Sequence, residues 1–321
     1  MSFELRELSC DEYAERVLPL THSLWAGTRD VVHYIDDNLA LANTTWGKKH
    51  FRTWGLFNGD ELVASHKTYA REVLHEDRHL SAIGIGAVFT PPEFRGRGYA
   101  SSMLARSLDE CKRRGDDAMF LFSDIAPVFY ESIGFVALAS RAITIRADNV
   151  VPARIPVRSI ENSDATAIRA CFTAADVSRS SRFLRSPAWW QWAQTRLDQG
   201  SEHPRGAVVG LMIGTSEKVD GYVIGVRMPS RDAFILDECG LADPSASEIL
   251  ATLLRSAAGD LHRITGWLPP NPLRSLLPRG SVHRRRSATL MIAPVSRAGK
   301  TWVKELELRD SGDPVWALDH V

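Results

Sequence analysis

The segment FTPPEFRGRGYASS, residues 89–102, restricts the fold of this chain more than any other. It continues the apolar run AIGIGAVFT and precedes apolar residues at helical spacing, so it joins a buried strand to an amphipathic helix. Two prolines end the strand, and two glycines among arginines form the turn. A helix that begins there exposes unpaired N–H groups, which favour a bound anion. The segment therefore predicts an α/β crossover with a local anion site.

The rest of the first half predicts elements that suit this crossover. Ser9 and Glu12 resemble a capping box at the start of a helix, and residues 58–60, Asn-Gly-Asp, a hairpin turn. After a helix that ends near Gly115, AMFLFS is typical of another buried strand. VFYESIG then predicts a short helix or turn, and FVALASRAITIRA an extended strand. A strand, turn, helix and strand in this order give an α/β fold with a mixed sheet.

From about residue 155 the same order of elements returns with a different sequence. GAVVGLMIG and GYVIGVRM predict a hairpin, and AFILDECGLADPSASEILATLL a strand, turn and helix. This second turn carries Asp243 and no arginine or glycine, so we expect it not to bind an anion. The sequence predicts two tandem domains, 1–150 and 151–321, each a mixed twisted sheet flanked by helices. We expect the second domain to contribute to an acceptor site.

The composition limits the kinds of partner that the chain can bind. The 321 residues include 39 basic and 39 acidic side chains, so we expect no nucleic-acid partner, and any anion site must be local. The four cysteines form no C-x-x-C pair and the histidines no H-E-x-x-H pattern, which predicts reduced thiols and no metal site. No apolar run approaches ~18 residues and the first residues are charged. We expect a cytoplasmic protein with no membrane partner, and a homo-oligomer stays open.

Two common phosphate-binding patterns do not fit the turn. The G-x-G-x-x-G dinucleotide fingerprint fails because arginines surround Gly96 and Gly98, and no Gly-Lys-Ser/Thr closes a P-loop. What remains is a glycine turn that lets backbone approach a diphosphate, with arginines that add charge-assisted contacts. The alternative is a plain strand-to-helix loop with a solvated basic face.

The turn resembles the signature of the GNAT acyltransferase superfamily, Arg/Gln-x-x-Gly-x-Gly/Ala after a strand and a proline. Arg95, Gly98 and Ala100 match that signature, with Pro92 before them. PVFYESIGF, residues 127–135, resembles the family's second conserved segment. The resemblance covers roughly residues 1–150. It implies acetyl-CoA as co-substrate and transfer of its acetyl group to an amine.

The resemblance also implies roles for individual residues. The diphosphate would lie on backbone amides of the turn, and the pantetheine arm along the edge of the preceding strand, with a serine and a phenylalanine beside it. The implied cofactor-binding residues are Val88, Phe89, Thr90, Arg95, Gly96, Arg97, Gly98, Tyr99, Ala100, Ser101, Ser123 and Phe129. Tyr130 matches the family's general acid, which would protonate the leaving thiolate. The alternative for Tyr130 is a half-buried tyrosine that braces the short helix.

The general base stays open. Candidates near the motifs or after the first helix are His33, Asp36, Asp37, His66, Glu93 and Asp124. The tandem arrangement also resembles the Eis-type acetyltransferases, in which the terminal carboxylate reaches the active site. That resemblance implies the carboxylate of Val321 as a base; the alternative is a docked C-terminal strand end.

The sequence also does not identify the acceptor, which is the amine that would receive the acetyl group. VFTPPEFRGRGYAS and LFSDIAPVFYESIGF are similar to segments of fungal lysine acetyltransferases, which implies a free amino acid. Asp237 and Glu238 would then help to hold a cation, or they form an exposed strand end. We expect transfer of acetyl to a primary amine of a small molecule, a lysine-like amino acid or a polyamine. The alternatives are acetylation of a protein lysine, an N-terminus or an aminoglycoside, and a non-catalytic acyl-CoA-binding module.

Overall fold

A computed structural model of the chain describes residues 3–176, 179–201, 206–270, 273–277, 282–309 and 315–320. The strands within these ranges are β1 (Phe3–Glu7), β2 (Phe51–Asn58), β3 (Glu61–His75), β4 (Arg78–Phe89), β5 (Ala118–Ser123), β6 (Val136–Ala137), β7 (Arg141–Arg146), β8 (Arg158–Ser159), β9 (Ser181–Phe183), β10 (Ala207–Gly214), β11 (Val219–Met228), β12 (Ala233–Leu241), β13 (Arg263–Trp267), β14 (Val282–Arg284) and β15 (Thr289–Pro294). The helices are α1 (Cys10–Arg16), α2 (Leu18–Trp25), α3 (Val31–Asn43), α4 (Thr45–His50), α5 (Tyr99–Arg114), α6 (Val128–Glu131), α7 (Ala165–Asp176), α8 (Pro187–Ser201), α9 (Ser247–Ala258) and α10 (Arg297–Arg309).

The strands form two mixed sheets of similar design. The first has the order β1-β2-β3-β4-β5-β15-β6, with β9 paired to the far end of β3. The second has the order β14-β7-β13-β12-β11-β10-β8. Among the described strands, each sheet has one parallel pair, β4 with β5 and β12 with β13. Each parallel pair is joined by a helix, α5 or α9, so the predicted crossover occurs twice and the predicted α/β fold is confirmed.

The division between the sheets does not follow residue 150. β7, expected at the end of the first domain, lies in the second sheet between β13 and β14. β15, from the second half, lies in the first sheet between β5 and β6. The two halves therefore exchange a strand, and FVALASRAITIRA is not one strand but two short ones in different sheets. The expectation of two sheets built from contiguous halves is wrong.

Helices begin and end at the residues that the sequence predicts as their caps. Ser9 and Glu12 form the capping box of α1. Gly115, in a left-handed conformation (φ +80°), ends α5, because glycine adopts that conformation without strain. The apolar face of α5, including Leu104 and Leu108, packs on Ile83 and Ile85 of β4. Within the described residues, no helix is long and apolar enough to cross a membrane.

Candidate active site

Pairing between β4 and β5 stops before either strand ends, and the gap between the two unpaired strand ends is called the cleft below. The parallel ladder runs from Ala82 and Ala118 to Ile85 and Leu121, although both strands continue beyond it. β5 stays paired with β15 to its end, so after Ile85 the edge of β4 has no partner from β5. An unpaired strand edge can accept an extended ligand as an added strand.

A bulge in β4 accompanies this separation. Ser65 and Lys67 of β3 lie opposite Phe89 and Gly86, so β4 carries one extra residue there. Ala87 in this bulge has φ +48°, a left-handed conformation that costs a non-glycine residue of order 1–3 kcal/mol. Such strain persists only where the surrounding structure imposes it, and bulges re-aim strands next to functional sites.

The predicted cofactor residues of β4 line this cleft. Val88 is half-buried and packs between α5 and the sheet, and Phe89 is buried. The hydroxyl oxygen of Thr90 is buried and has no hydrogen-bond partner among the described residues. On the β5 side, Ser123 is buried and its hydroxyl donates to the carbonyl of Ile125 at 3.0 Å. The structure thus brings both predicted sides of the pantetheine arm to one cleft.

The arginine–glycine turn lies directly beyond the cleft and is exposed. Gly96 and Gly98 have φ +75° and +77°, and Gly98 caps α5 without a side-chain hydrogen bond to the helix. The amides of the first turn of α5, at Tyr99, Ala100 and Ser101, are therefore available to an anion. The Arg95 Nε donates to the carbonyl of Thr90 at 3.1 Å, which ties the turn to the end of β4. Tyr99 packs on Phe3 and Phe94, and the Arg97 guanidinium lies 5.8 Å from the Phe94 ring centre.

Tyr130 lies on the single-turn helix α6 and is buried between aromatic rings. Its ring packs edge-on against Phe129 and Phe135, with centroids 4.9 and 5.9 Å away. Burial raises the pKa of the Tyr130 phenol, and the Asp124 carboxylate raises it further. Asp124 itself accepts a hydrogen bond from the amide of Ala288 at 2.8 Å. The phenol therefore keeps its proton at neutral pH and can donate it.

The segment 315–320 returns to the junction of the two sheets. The ring of His320 packs between Phe122 of β5 and Trp267 of β13, at 5.0 and 5.8 Å. Burial lowers the pKa of His320 to about 4, so its ring is neutral at pH 7, and Asp124 acts on it in the opposite direction. Asp124 is thus within electrostatic reach of both Tyr130 and His320. Val321, the predicted base, lies outside the described residues.

A cavity of about 260 Å³ lies between α3 and α8. Trp25, at the end of α2, forms one wall and packs edge-on against Phe89, with ring centroids 6.3 Å apart. The cavity therefore adjoins the strand end that lines the cofactor cleft. Other lining residues are Arg29, Tyr34, Asp37, Arg196 and Gln199. The helix α8, from the second half of the chain, thus completes a pocket beside the cleft.

The other predicted base candidates take different positions. The His66 ring is fully buried, bonds to the Ser107 hydroxyl at 3.2 Å, and burial lowers its pKa to about 3, so it is structural. His33 is exposed and pairs with Asp30 at 2.6 Å. Asp36 and Glu93 are exposed. None of these four side chains lines the cleft or the 260 Å³ cavity.

Two acidic residues of β12 differ from the exposed strand end considered as their alternative. Glu238 is fully buried, accepts from the Tyr222 hydroxyl at 2.7 Å and pairs with Arg185 at 2.5 Å. Asp237 is the extra residue of a bulge, since Ile224 and Gly225 lie opposite Glu238 and Leu236. Asp237 is within electrostatic reach of Arg196, and Glu238 is committed to an internal ion pair with Arg185.

The turn of the second sheet differs in chemistry from that of the first. Between β12 and α9 the Asp243 carboxylate accepts hydrogen bonds from the amide and the hydroxyl of Ser245, at 2.8 and 2.7 Å. A carboxylate thus occupies a place where the first turn has glycines and arginines. Its negative charge would oppose a diphosphate, and the expectation that this turn binds no anion stays a prediction.

Three residues of the site were not predicted as site residues: Trp25, Ala87 and Arg196. Arg196 follows Trp192 by four residues, which places both on one helix face, and this spacing was the one available signal. Ala87 and Trp25 give none, because a bulge and a cavity wall depend on distant parts of the chain.

Comparison with known proteins identifies the part of the chain that carries this site. Residues 15–137 match the family model described as an acetyltransferase (GNAT) domain. The chain contains a GNAT acetyltransferase domain. The cleft, the arginine–glycine turn and Tyr130 all lie within the matched GNAT region, which ends before the exchanged strand β7.

Relatives of the GNAT domain appear in both sequence and structure. A lysine acetyltransferase of Yarrowia lipolytica is 32% identical over 107 residues, which cover 31% of this chain and only 27% of that protein. A probable N-acyltransferase of Enterococcus faecalis has a TM-score of 0.71 at 17% identity, covering 92% of this chain and 72% of the other. Eis1 of Mycobacterium abscessus gives 0.60 at 15% identity, covering 92% and 74%.

A tandem GNAT protein from the clavulanic acid biosynthesis pathway covers both halves, with a TM-score of 0.52 at 11% identity over 92% of this chain and 99% of that one. At these identities the structural likeness shows the fold alone. The predicted GNAT resemblance and tandem arrangement are confirmed.

Proposed function

We propose that the chain is an acetyl-CoA-dependent N-acetyltransferase that transfers acetyl directly to a primary amine of a small molecule, a lysine-like amino acid or a polyamine. One observation carries this proposal: Tyr130 packs in one apolar cluster with Val88, at the unpaired end of β4, and with α5, whose start is capped by Gly98. The GNAT family match and the lysine acetyltransferase of Yarrowia lipolytica support the same class of reaction.

In this proposal the turn Arg95–Ser101 binds the diphosphate of acetyl-CoA through amides that the helix leaves unpaired. Arg95 and Arg97 add positive charge that attracts the diphosphate. The pantetheine arm pairs with the backbone of Val88, Phe89 and Thr90, with Ser123 and Phe129 beside it. Its thioester then lies at the end of the cleft near Tyr130.

The amine nitrogen attacks the thioester carbonyl carbon, the C–S bond breaks, and the leaving thiolate receives a proton. The Tyr130 phenol is the proposed proton donor, because its raised pKa keeps it protonated until a thiolate forms. The amine loses a proton to a base. Since a lysine-like amine has a pKa of about 10.4, keeping it neutral at pH 7 costs about 4–5 kcal/mol, which a desolvated site or a base must offset.

We keep the carboxylate of Val321 as the proposed base. Its support is the position of the neighbouring residue: His320 is near Asp124, and Asp124 acts on Tyr130. A short C-terminal extension tests this assignment. The assignment predicts a large fall in kcat with little change in acetyl-CoA affinity, and full activity of the extended chain would remove Val321 from the mechanism.

Acetyl-CoA consumption over a panel of amines tests the proposed function. The panel holds L-lysine, 1,5-diaminopentane, an aminoglycoside and a lysine-containing peptide, with Y130F as the matched control. We expect consumption with a small amine and a strong loss in Y130F. Consumption with the peptide alone would move the acceptor to proteins, and binding of acetyl-CoA without consumption by any amine would favour a non-catalytic module.

A further inference from the structure

The 260 Å³ cavity between α3 and α8 contains two arginines with different surroundings. Arg29 pairs with the Asp37 carboxylate at 2.7 Å and also donates to the carbonyl of Ala26 at 3.0 Å. Its charge is therefore neutralised within the loop that it braces. Arg196 belongs to α8 and lies on the opposite wall of the cavity, where it pairs with no carboxylate of the described residues.

Within the described parts of the chain, the hydrogen bonds and the ring contact of the Arg196 guanidinium go to neutral groups. It lies 5.0 Å from the Trp192 ring centre, donates to the carbonyl of Leu318 at 2.6 Å, and donates to the carbonyl of His320. Among the residues that the structure describes, no carboxylate is at ion-pair distance from it. Burial lowers the pKa of Arg196, and Tyr69, Asp237 and Asp319 act on it in the opposite direction. A half-buried guanidinium keeps its charge, so the site favours an anion.

The surrounding junction also has an excess of positive charge. Arg71 and Arg185 both pair with Asp319 at 2.8 Å, and Arg185 also pairs with Glu238. Arg196 is the third guanidinium of this cluster, and the carboxylates of Asp319 and Glu238 are at ion-pair distance from the other two. Asp237 offsets the charge of Arg196 only in part, because burial raises the pKa of Asp237 to about 7. His320 stays neutral next to Arg196.

We propose that Arg196 binds a carboxylate of the acceptor, so that the acceptor is an amine that also carries a carboxylate, as an amino acid does, and not a polyamine. This inference rests on the proposed function and selects between its two acceptor classes. The acceptor's carboxylate lies at Arg196, on α8 from the second half of the chain, and its reacting amine extends past Trp25 toward the thioester end of the cleft. A guanidinium suits this role because it presents paired donors to a carboxylate.

L-Lysine and 1,5-diaminopentane test the proposal, because they differ only in the carboxylate. We would measure kcat/KM for both in the wild type, Arg196→Gln, Arg196→Lys and Arg169→Gln. The last removes the charge of an arginine on α7 that lies outside the cavity and donates to the Thr166 hydroxyl. We expect the wild type to have a higher kcat/KM for lysine than for diaminopentane. In R196Q, kcat/KM should fall about 10- to 100-fold for lysine and less than threefold for diaminopentane. R196K should keep part of the preference for lysine, and R169Q should match the wild type.

Equal activity of the wild type with both amines, or an equal loss of both in R196Q with R196K unchanged from the wild type, would overturn the proposal. The second pattern would show that Arg196 only anchors the segment 315–320. If no amine is acetylated, the proposed function fails, and calorimetric binding of L-lysine in the presence of coenzyme A decides the inference separately. Weaker lysine binding in R196Q supports it, and absent or unchanged binding overturns it.

Discussion

At the scale of single residues, Tyr130 is the side chain on which the chemistry depends most. Its phenol is buried against Phe129 and Phe135, and the Asp124 carboxylate, a charge among the described residues, raises its pKa further. The sequence predicted its position from the family segment. The burial that raises its pKa depends on packing of α6 against the sheet, which residue spacing alone does not give.

Tyr130→Phe should lower kcat by about 100-fold or more, the usual size of a general-acid contribution. The KM for acetyl-CoA should change by less than about threefold, because the phenyl ring keeps its contacts with Phe129 and Phe135. Steady-state kinetics with a saturating amine separates the two constants. An unchanged kcat would exclude Tyr130 as the proton donor.

Lys67 is a second residue whose environment the sequence did not show. It lies on β3, donates to the Asn38 side chain at 2.7 Å, and its ammonium lies over the rings of Tyr13 and Phe51 at 5.3 and 5.5 Å. Burial lowers the pKa of Lys67 to about 7. Nothing in the alternating pattern of β3 distinguishes a buried lysine from an exposed one.

Lys67→Met should make unfolding free energy less dependent on pH. The folded pKa is lowered, so the unfolded chain binds more protons between about pH 7 and the unfolded pKa of about 10.4, and wild-type stability rises with pH across that window. We expect the wild type to gain about 2 kcal/mol relative to K67M from pH 7 to pH 10, since partial exposure screens the charge. Urea unfolding at both values measures this, and a constant difference would contradict the lowered pKa.

At the scale of elements, the β4–turn–α5–β5 unit followed from sequence because its signals are local. Prolines end the strand, Gly98 and Gly115 bound the helix, and the apolar spacing of α5 fixes its buried face. Ala87 gave no such signal. Its left-handed conformation is imposed by the pairing of β4 with β3, a long-range constraint.

Gly98→Ala should weaken acetyl-CoA binding at least tenfold. Both Gly98 and Gly115 have positive φ, and a Cβ at either one would meet no atom within 4 Å, so alanine should cost about 1–2 kcal/mol of stability at each. Only at position 98 would the Cβ crowd a bound diphosphate. Calorimetric titration of G98A and G115A makes the comparison, and equal affinities would contradict diphosphate binding at this turn.

The exchange of β7 and β15 could not be read from the sequence. Both segments are six residues long, RAITIR and TLMIAP, and their apolar and β-branched residues suit a strand in either sheet. Which neighbour each one pairs with depends on contacts more than 100 residues apart, such as Leu121 with Met291. A boundary based on the repeat of element order therefore misplaced both strands.

At the scale of the whole molecule, a buried ionic cluster joins the two sheets. Arg71 on β3 and Arg185 both bind Asp319, and Arg185 also reaches Glu238 on β12. The two arginines hold the pKa of Asp319 well below its usual range, against the effect of burial. The junction that shapes the acceptor cavity is therefore fixed by charge pairs as well as by apolar packing.

Asp319→Asn should destabilise the fold by about 3–5 kcal/mol at pH 7, because it leaves the buried Arg71 guanidinium without a carboxylate and removes one of the two carboxylates that pair with Arg185. The lowered pKa gives a stabilisation that is complete above the unfolded pKa of about 3.9 and is lost as pH falls below it, so the difference from wild type should shrink in acid. Denaturant unfolding at pH 7 and in acid measures the loss of stability and its dependence on pH. Asp148→Asn, in an exposed pair with Arg146, should cost less than about 1 kcal/mol; a similar cost for both variants would contradict a buried cluster.

The two sheets repeat one design, yet only the first carries glycines and arginines in the turn before its crossover helix, where the second carries Asp243. The most direct measurement is a crystal structure of the chain with coenzyme A. We predict one molecule per chain, with its diphosphate on the amides of residues 96–101 and its sulfur beside the Tyr130 hydroxyl. An empty arginine–glycine turn, with coenzyme A absent or bound at the second sheet, would contradict the account.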